Sequence, residues 1–131
     1  MPSALIEVRQ QYTPKIESEI MEAVHTALRE AFKILPNDRN IRILVHEPHR
    51  FQCPPDIERP EYYTNVSIDC FAGRSIEAKR NLYKAIVNNL SQFGIPANHI
   101  KIMLREITAE NWGIWGGQAA CDVDLGFEVK V

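Results

Sequence analysis

Apolar and polar positions change period several times along the chain, and each change marks an element. From Ala4 to Arg9 the alternation is of strand type, with Glu7 and Arg9 keeping one face polar. The spacing then lengthens. Ile16, Ile20, Val24, Leu28, Ala31 and Leu35 recur at steps of three and four, which predicts a helix with one apolar stripe. Thr13 is placed to cap that helix, Pro14 suits its first turn, where a missing N–H costs nothing, and Pro36 ends it. The run NIRILV returns to a period of two and predicts a second strand.

The same order recurs after residue 62. In NVSIDCF, Val66, Ile68 and Cys70 alternate with Ser67 and Asp69, and Ser75 is positioned to cap a helix striped by Ala78, Leu82, Ile86, Leu90 and Phe93. Gly94 supplies a left-handed stop with Pro96 close behind, and HIKIML is the matching strand. The half-ends KILPNDRNIRILVHE and FGIPANHIKIMLRE resemble each other with one residue inserted. The chain therefore reads as one domain over 1–131 holding two β-α-β pseudo-repeats, about 1–50 and 63–107.

Between the repeats, PHRFQCPPDIERPEYY is a proline-rich loop long enough to suggest a function or a cover over a site. Beyond them, DVDLGFEVKV alternates cleanly and predicts a C-terminal strand or hairpin over 121–131. Right-handed crossovers put both helices on one face of a four-stranded mixed sheet, an α/β (α+β) fold. The opposite face is expected to be bare and apolar, and to be completed, with the terminal strand, by further copies of the chain.

Composition narrows the partners. Fifteen basic against 17 acidic residues leave a net charge of −2, which gives no electrostatic reason to bind nucleic acid or an anionic membrane. No apolar run approaches the length of a membrane span and no signal-type N-terminus is present, so the expected location is cytoplasmic. Cys53, Cys70 and Cys121 form no C-x-x-C pair and read as reduced thiols, Cys70 as a small buried residue in a strand. His46, His49 and Cys53 lack the paired spacing and fourth ligand of a zinc site, so no metal is expected, and a hydrogen bond satisfies His46 more simply. Neither a phosphate-cradling glycine loop nor a G-x-S-x-G elbow is found.

Two positions carry chemistry of their own. Pro2 is an awkward strand residue in an intact Met-Pro bond, but removal of Met1 makes its nitrogen a secondary amine. An α-amino group titrates at about 7.7–8.0 unperturbed, so modest desolvation or nearby cations would poise it for acid–base work at neutral pH. Arg74 immediately precedes a helix whose first-turn N–H groups and dipole favour an anion, and its guanidinium adds bidentate recognition of a carboxylate. Ordinary readings stand beside these: a plain start for Met-Pro, and a solvated arginine ahead of a helix.

The start MP, the run AGRSIEAKRNLYKAIVNNLSQFGIP and the stretch LREITAENWGIWGG together resemble the tautomerase superfamily (4-oxalocrotonate tautomerase-like). The double-length format with ILPNDR after the first helix is most similar to the branch containing malonate semialdehyde decarboxylase. The resemblance implies a homotrimer, no cofactor, and an N-terminal proline, Pro2, acting as general base or acid near a subunit interface. It further implies that Arg74 holds a small carboxylate substrate, that Asp38 orients substrate or activates water where its ordinary reading is turn chemistry, and that Trp112 lines the pocket together with Trp115, for which core packing is the alternative. Arg39 either pairs with Asp38 or reaches substrate. Where the decarboxylase pattern has two arginines flanking a proline, this chain has Ala72, Gly73 and Arg74, so one arginine of the pair is available. The expected activity is keto–enol tautomerisation of a small α-keto or oxo acid. Decarboxylation or hydration is the enzymatic alternative, and a ferredoxin-like ligand-binding regulatory module is the alternative of another class.

Overall fold

The computed structural model describes residues 2–127, 129 and 131. Its elements are β1 (Ser3–Val8), α1 (Pro14–Phe32), β2 (Ile41–Val45), β3 (Thr64–Phe71), α2 (Ile76–Leu90), β4 (Ile100–Ile107) and the short strands β5 (Gly113–Ile114) and β6 (Gln118–Ala119). The main sheet has the order β2-β1-β3-β4, parallel within each repeat and antiparallel where β1 meets β3 at the centre. The duplicated four-stranded mixed sheet read from the sequence is thus the observed fold.

Local chemistry explains the element ends. The Thr13 hydroxyl accepts the Ile16 N–H at 3.2 Å and the Ser75 hydroxyl accepts the Ala78 N–H at 3.1 Å, so both helices begin with one orphan donor satisfied. The first helix stops at Phe32, earlier than its stripe suggested, because Lys33 turns left-handed (φ 57°) and returns its N–H to Arg29. Leu35 is consequently exposed and not part of the stripe. After Leu90 a 3₁₀ turn, Ser91–Phe93, leads into Gly94 at φ 81°.

Both helices cover the same sheet face and pack on each other, tied by Asn89 Nδ2–H donating to the Ala23 carbonyl at 3.1 Å. Ile20, Val24 and Leu28 of α1 meet Leu82, Ile86 and Leu90 of α2 above Ala4, Ile6, Val8, Val66, Ile68 and Cys70. Each large apolar side chain buried there contributes about 1.5–3 kcal/mol, and this core fixes the strand ends on which the site is built.

The opposite sheet face is open, but it is not the apolar face expected. Alternation puts Leu5, Leu44 and Met103 there among Ser3, Glu7, Arg42, Asn65, Ser67, Asp69, Lys101 and Arg105. Arg105 grips Asp69 (Nε–Oδ1 2.5 Å), Arg42 donates to Ser3 Oγ at 3.1 Å, and His46 meets Glu7 at 2.9 Å. The strand periodicity was read correctly while the polar residues within it were undercounted.

The expected strand over 121–131 is also corrected. Among the described residues the tail joins no ladder; Ala120–Asp122 is a 3₁₀ turn, and Glu128 and Lys130 lie outside the described residues. The alternating Val123, Leu125, Phe127 and Val129 instead pack on a second small cluster around Phe71, Ile114 and Ala120. Their burial is satisfied by packing without pairing, and the Val131 carbonyl accepts the Ser75 hydroxyl at 2.7 Å. The hairpin of this region is β5–β6, one step earlier in the chain.

Candidate active site

Strand register brings the candidate residues to one end of the sheet. Ser3 pairs with Asp69, so Pro2, one residue earlier, enters level with Cys70 on β3. Ala4 pairs in parallel with Ile41, which sets Pro2 beside the end of the 36–40 turn that carries Asp38 and Arg39. Pro2 is buried. The end of β3 continues through Phe71, Ala72 and Gly73 to Arg74, ahead of the capped start of α2.

Arg74 is the least ordinary side chain of the chain. It is only 5% exposed, its guanidinium lies over the Phe32 ring at 4.5 Å, and Nη1–H donates to the Phe71 carbonyl at 3.3 Å. Nε and Nη2 are buried and make no hydrogen bond among the described residues. Burial pulls its pKa below the usual guanidinium value, opposed by the neighbouring Cys70 and by the charges of Asp38 and Glu106. Each unsatisfied buried donor costs about 1–3 kcal/mol, so the two donors left over are chemically suited to an anion.

Its neighbours temper that charge. Burial pushes the Cys70 thiol up, while Arg74 acts the other way, so the thiol stays neutral beside the guanidinium. Glu106 is held below the usual carboxylate range, first by the Lys79 ammonium, which donates to it at 2.9 Å. The Pro36 carbonyl, in the turn before Asp38, is hydrogen-bonded at 3.0 Å to His25 Nε2, which is buried in α1.

The other expected site residues are placed as follows. Arg39 is turned toward α1, where Nη1 meets Glu22 Oε2 at 2.5 Å, so its partner is Glu22 and not Asp38. Trp112 stacks at 54° on Phe71, ring centroids 5.0 Å apart, on the side of β3 opposite Cys70, and its buried Nε1–H makes no hydrogen bond among the described residues. Trp115 is 55% exposed at the tip of the β5–β6 hairpin, in a left-handed conformation (φ 49°) followed by two glycines of positive φ. Phe32 and Cys70 were not singled out as site residues in advance. Cys70 was legible from strand register, whereas the stacking of Phe32 needed the three-dimensional path of α1.

A duplicated β-α-β sheet with a buried, underpartnered guanidinium at the end where Pro2 enters defines a tautomerase-type scaffold. The family model described as tautomerase enzyme matches residues 38–115, and the chain belongs to that family. A malonate semialdehyde decarboxylase inhibited by 3-bromopropiolate is 26% identical, with a TM-score of 0.75 over 89% of this chain and 92% of that one. A second malonate semialdehyde decarboxylase structure (19% identical, TM-score 0.81, 93% and 99% covered) and a native fused 4-OT (18%, 0.82, 95% and 99%) share the fold. No helix among the described residues is long and apolar enough to cross a membrane.

Proposed function

We propose that this chain is a cofactor-independent keto–enol tautomerase for a small α-keto or oxo carboxylic acid, with Pro2, freed of Met1, as the acid–base group. The observation that carries the reading is the buried Arg74 guanidinium with Nε and Nη2 unpartnered, at the sheet end where Pro2 enters. Arg74 takes the substrate carboxylate and so presents the adjacent carbons to the proline nitrogen. The neutral amine removes a proton from carbon, the electron pair passes to the carbonyl oxygen as an enolate, and the prolinium returns its proton to complete the transfer. Desolvation and the nearby guanidinium both lower the amine's pKa, so the base form is present at neutral pH. Trp112 excludes water, and Asp38 orients substrate or, in a hydration step, water.

A second reading is decarboxylation of a 3-oxo acid such as malonate semialdehyde, favoured by the 26% identity to an enzyme of that name across 89% of the chain. In it Asp38 has the larger part. For assembly we infer a homotrimer: solved neighbours of this fold include fused 4-OT trimers, and the open sheet face and exposed Trp115 of one chain are then met by another.

The test is intact-mass measurement of untagged protein together with the absorbance decay of a small enol acid, for the parent and Pro2→Ala. Expected are an N-terminal proline on active protein and loss of proton transfer in the variant. Activity with Met1 retained, or undiminished in Pro2→Ala, refutes the reading. Release of carbon dioxide from malonate semialdehyde separates the second reading from the first.

A further inference from the structure

The duplication gives the site a twin at the other end of the sheet. An offset of 62 residues carries one N-cap onto the other, Thr13 to Ser75, and the core rows Ile20, Val24 and Leu28 onto Leu82, Ile86 and Leu90. The same offset relates Pro2 to Thr64, Val8 to Cys70 and Tyr12 to Arg74, while the left-handed residues that end the helices, Lys33 and Gly94, relate Phe32 to Phe93. Matching β1–β2 to β3–β4 register relates Asp38 to His99. The twin end therefore has the same backbone with different chemistry.

The segment joining the repeats lies on that twin end. At the end of the second helix a β-carbon on Gly94 would lie 3.6 Å from the Tyr62 hydroxyl oxygen, so Tyr62 is seated against that helix end. Arg59 stacks over the Tyr62 ring at 4.9 Å, as Arg74 stacks over Phe32 at 4.5 Å. The Arg59 amide donates to His99 Nε2 at 3.1 Å, the position that Asp38 holds at the open end. Tyr12, the counterpart of Arg74, is buried and feels the charges of Tyr62 and Glu61. Further out, the Arg9 guanidinium clamps both ends of the segment through the Pro48 and Pro60 carbonyls at 3.1 and 2.8 Å.

We propose that segment 48–63 is a plug seated in the closed duplicate of the site, with Tyr62 against the end of the second helix and Arg59 stacked on it, its amide held by His99. A connector alone needs none of these contacts. The plug leaves one open end per chain and buries a pocket that would otherwise expose Tyr12, Thr64 and His99. It rests on the duplicated geometry and is independent of the reaction proposed for Pro2.

The experiment uses Tyr62→Ala in the full chain, with amide hydrogen exchange and thermal unfolding. Exchange over 57–63 is expected to rise about tenfold or more, with residues 36–40 and 72–75 unchanged, since only the plug is loosened. The probe p-cresol, the free analogue of the whole tyrosine side chain, is expected to restore protection and raise the Tm of the variant while leaving the parent unaffected. Unchanged exchange over 57–63, or p-cresol acting equally on parent and variant, overturns the proposal. Should Tyr62→Ala not fold, His99→Leu tests the same seat: the Arg59 amide is expected to exchange faster, and His99→Gln, which keeps an acceptor, to recover part of the protection. An unchanged Arg59 amide in His99→Leu overturns it.

Discussion

Replacing Arg74 by methionine separates what its guanidinium costs the free protein from what it does for a bound anion. Methionine keeps much of the volume over Phe32 and removes the charge. In the free chain two buried donors, Nε and Nη2, are unsatisfied among the described residues, at about 1–3 kcal/mol each. Against them stand one hydrogen bond to the Phe71 carbonyl, the stacking on Phe32, and the favourable charge of Asp38. Stacking of a desolvated cation is worth about 2 kcal/mol and the carbonyl bond about 1.5–3, so the sum lies near zero. Expected is a little-changed Tm, at equal protein concentration so that assembly is held fixed.

Activity goes the other way. Two charge-assisted hydrogen bonds to a carboxylate are worth about 3–6 kcal/mol, which is a loss of about 10²–10⁴ in kcat/KM on Arg74→Met. Arg74→Lys keeps the charge but neither the fork nor the flat stacking face, and is expected to recover only part of the loss. Enol decay measured beside differential scanning calorimetry gives both quantities on the same samples. A Tm lowered by more than about 5 °C, roughly 1 kcal/mol or more in a chain of this size, with kcat/KM intact refutes the reasoning, because Arg74 is then structural.

Other expectations follow from the same geometry. Pro2→Ala should lower proton transfer by about 10²–10⁴-fold with little change in far-ultraviolet circular dichroism. Burial raises the Tyr12 pKa to about 12, so its neutral form is favoured by folding: that stability is whole below the unfolded value near 10 and is lost as pH rises from about 10 to 12. Absorbance titration should show a late-titrating tyrosine, absent in Tyr12→Phe. The Lys79 ammonium holds Glu106 below its unfolded pKa, so its contribution is present above the ordinary carboxylate range and fades as pH falls through the folded value. Lys79→Met should move the midpoint of acid unfolding upward, by an amount that shrinks with added salt. Trp115→Ala should leave the stability of the chain within about 0.5 kcal/mol, because the ring is exposed.

The repeat was legible because its signals are local. Caps at Thr13 and Ser75, the stripes of both helices and the stop at Gly94 act within a few residues, and all but the end of the first stripe hold in the structure. The tail differs for a nonlocal reason: alternation announces one buried face but not what covers it, and among the described residues Phe71, Trp112 and Ile114 cover it without a ladder. Trp115 and Arg39 show the same limit. An aromatic beside glycines and an arginine beside an aspartate both suggest a pocket, yet hairpin geometry sends one outward and Glu22 draws the other onto α1. The burial of Arg74 was the part of the site that chain position alone did not reveal, since an arginine ahead of a helix is usually solvated.

The duplicated backbone turns that burial into an argument. Tyr12 and Arg74 hold matching places before matching caps, and each is buried with polar atoms that lack hydrogen bonds among the described residues. At the Tyr12 end the unmatched group is one neutral hydroxyl, beneath a segment that brings its own aromatic ring and its own stacked arginine. At the Arg74 end it is a cation, flanked by a thiol where the twin has Val8. A buried charge costs far more than a buried hydroxyl unless something pairs with it. Since fold and core are common to both ends, the duplication alone does not account for the arginine, and on the proposed reading the difference between the two ends is the cost of holding a place for an anion.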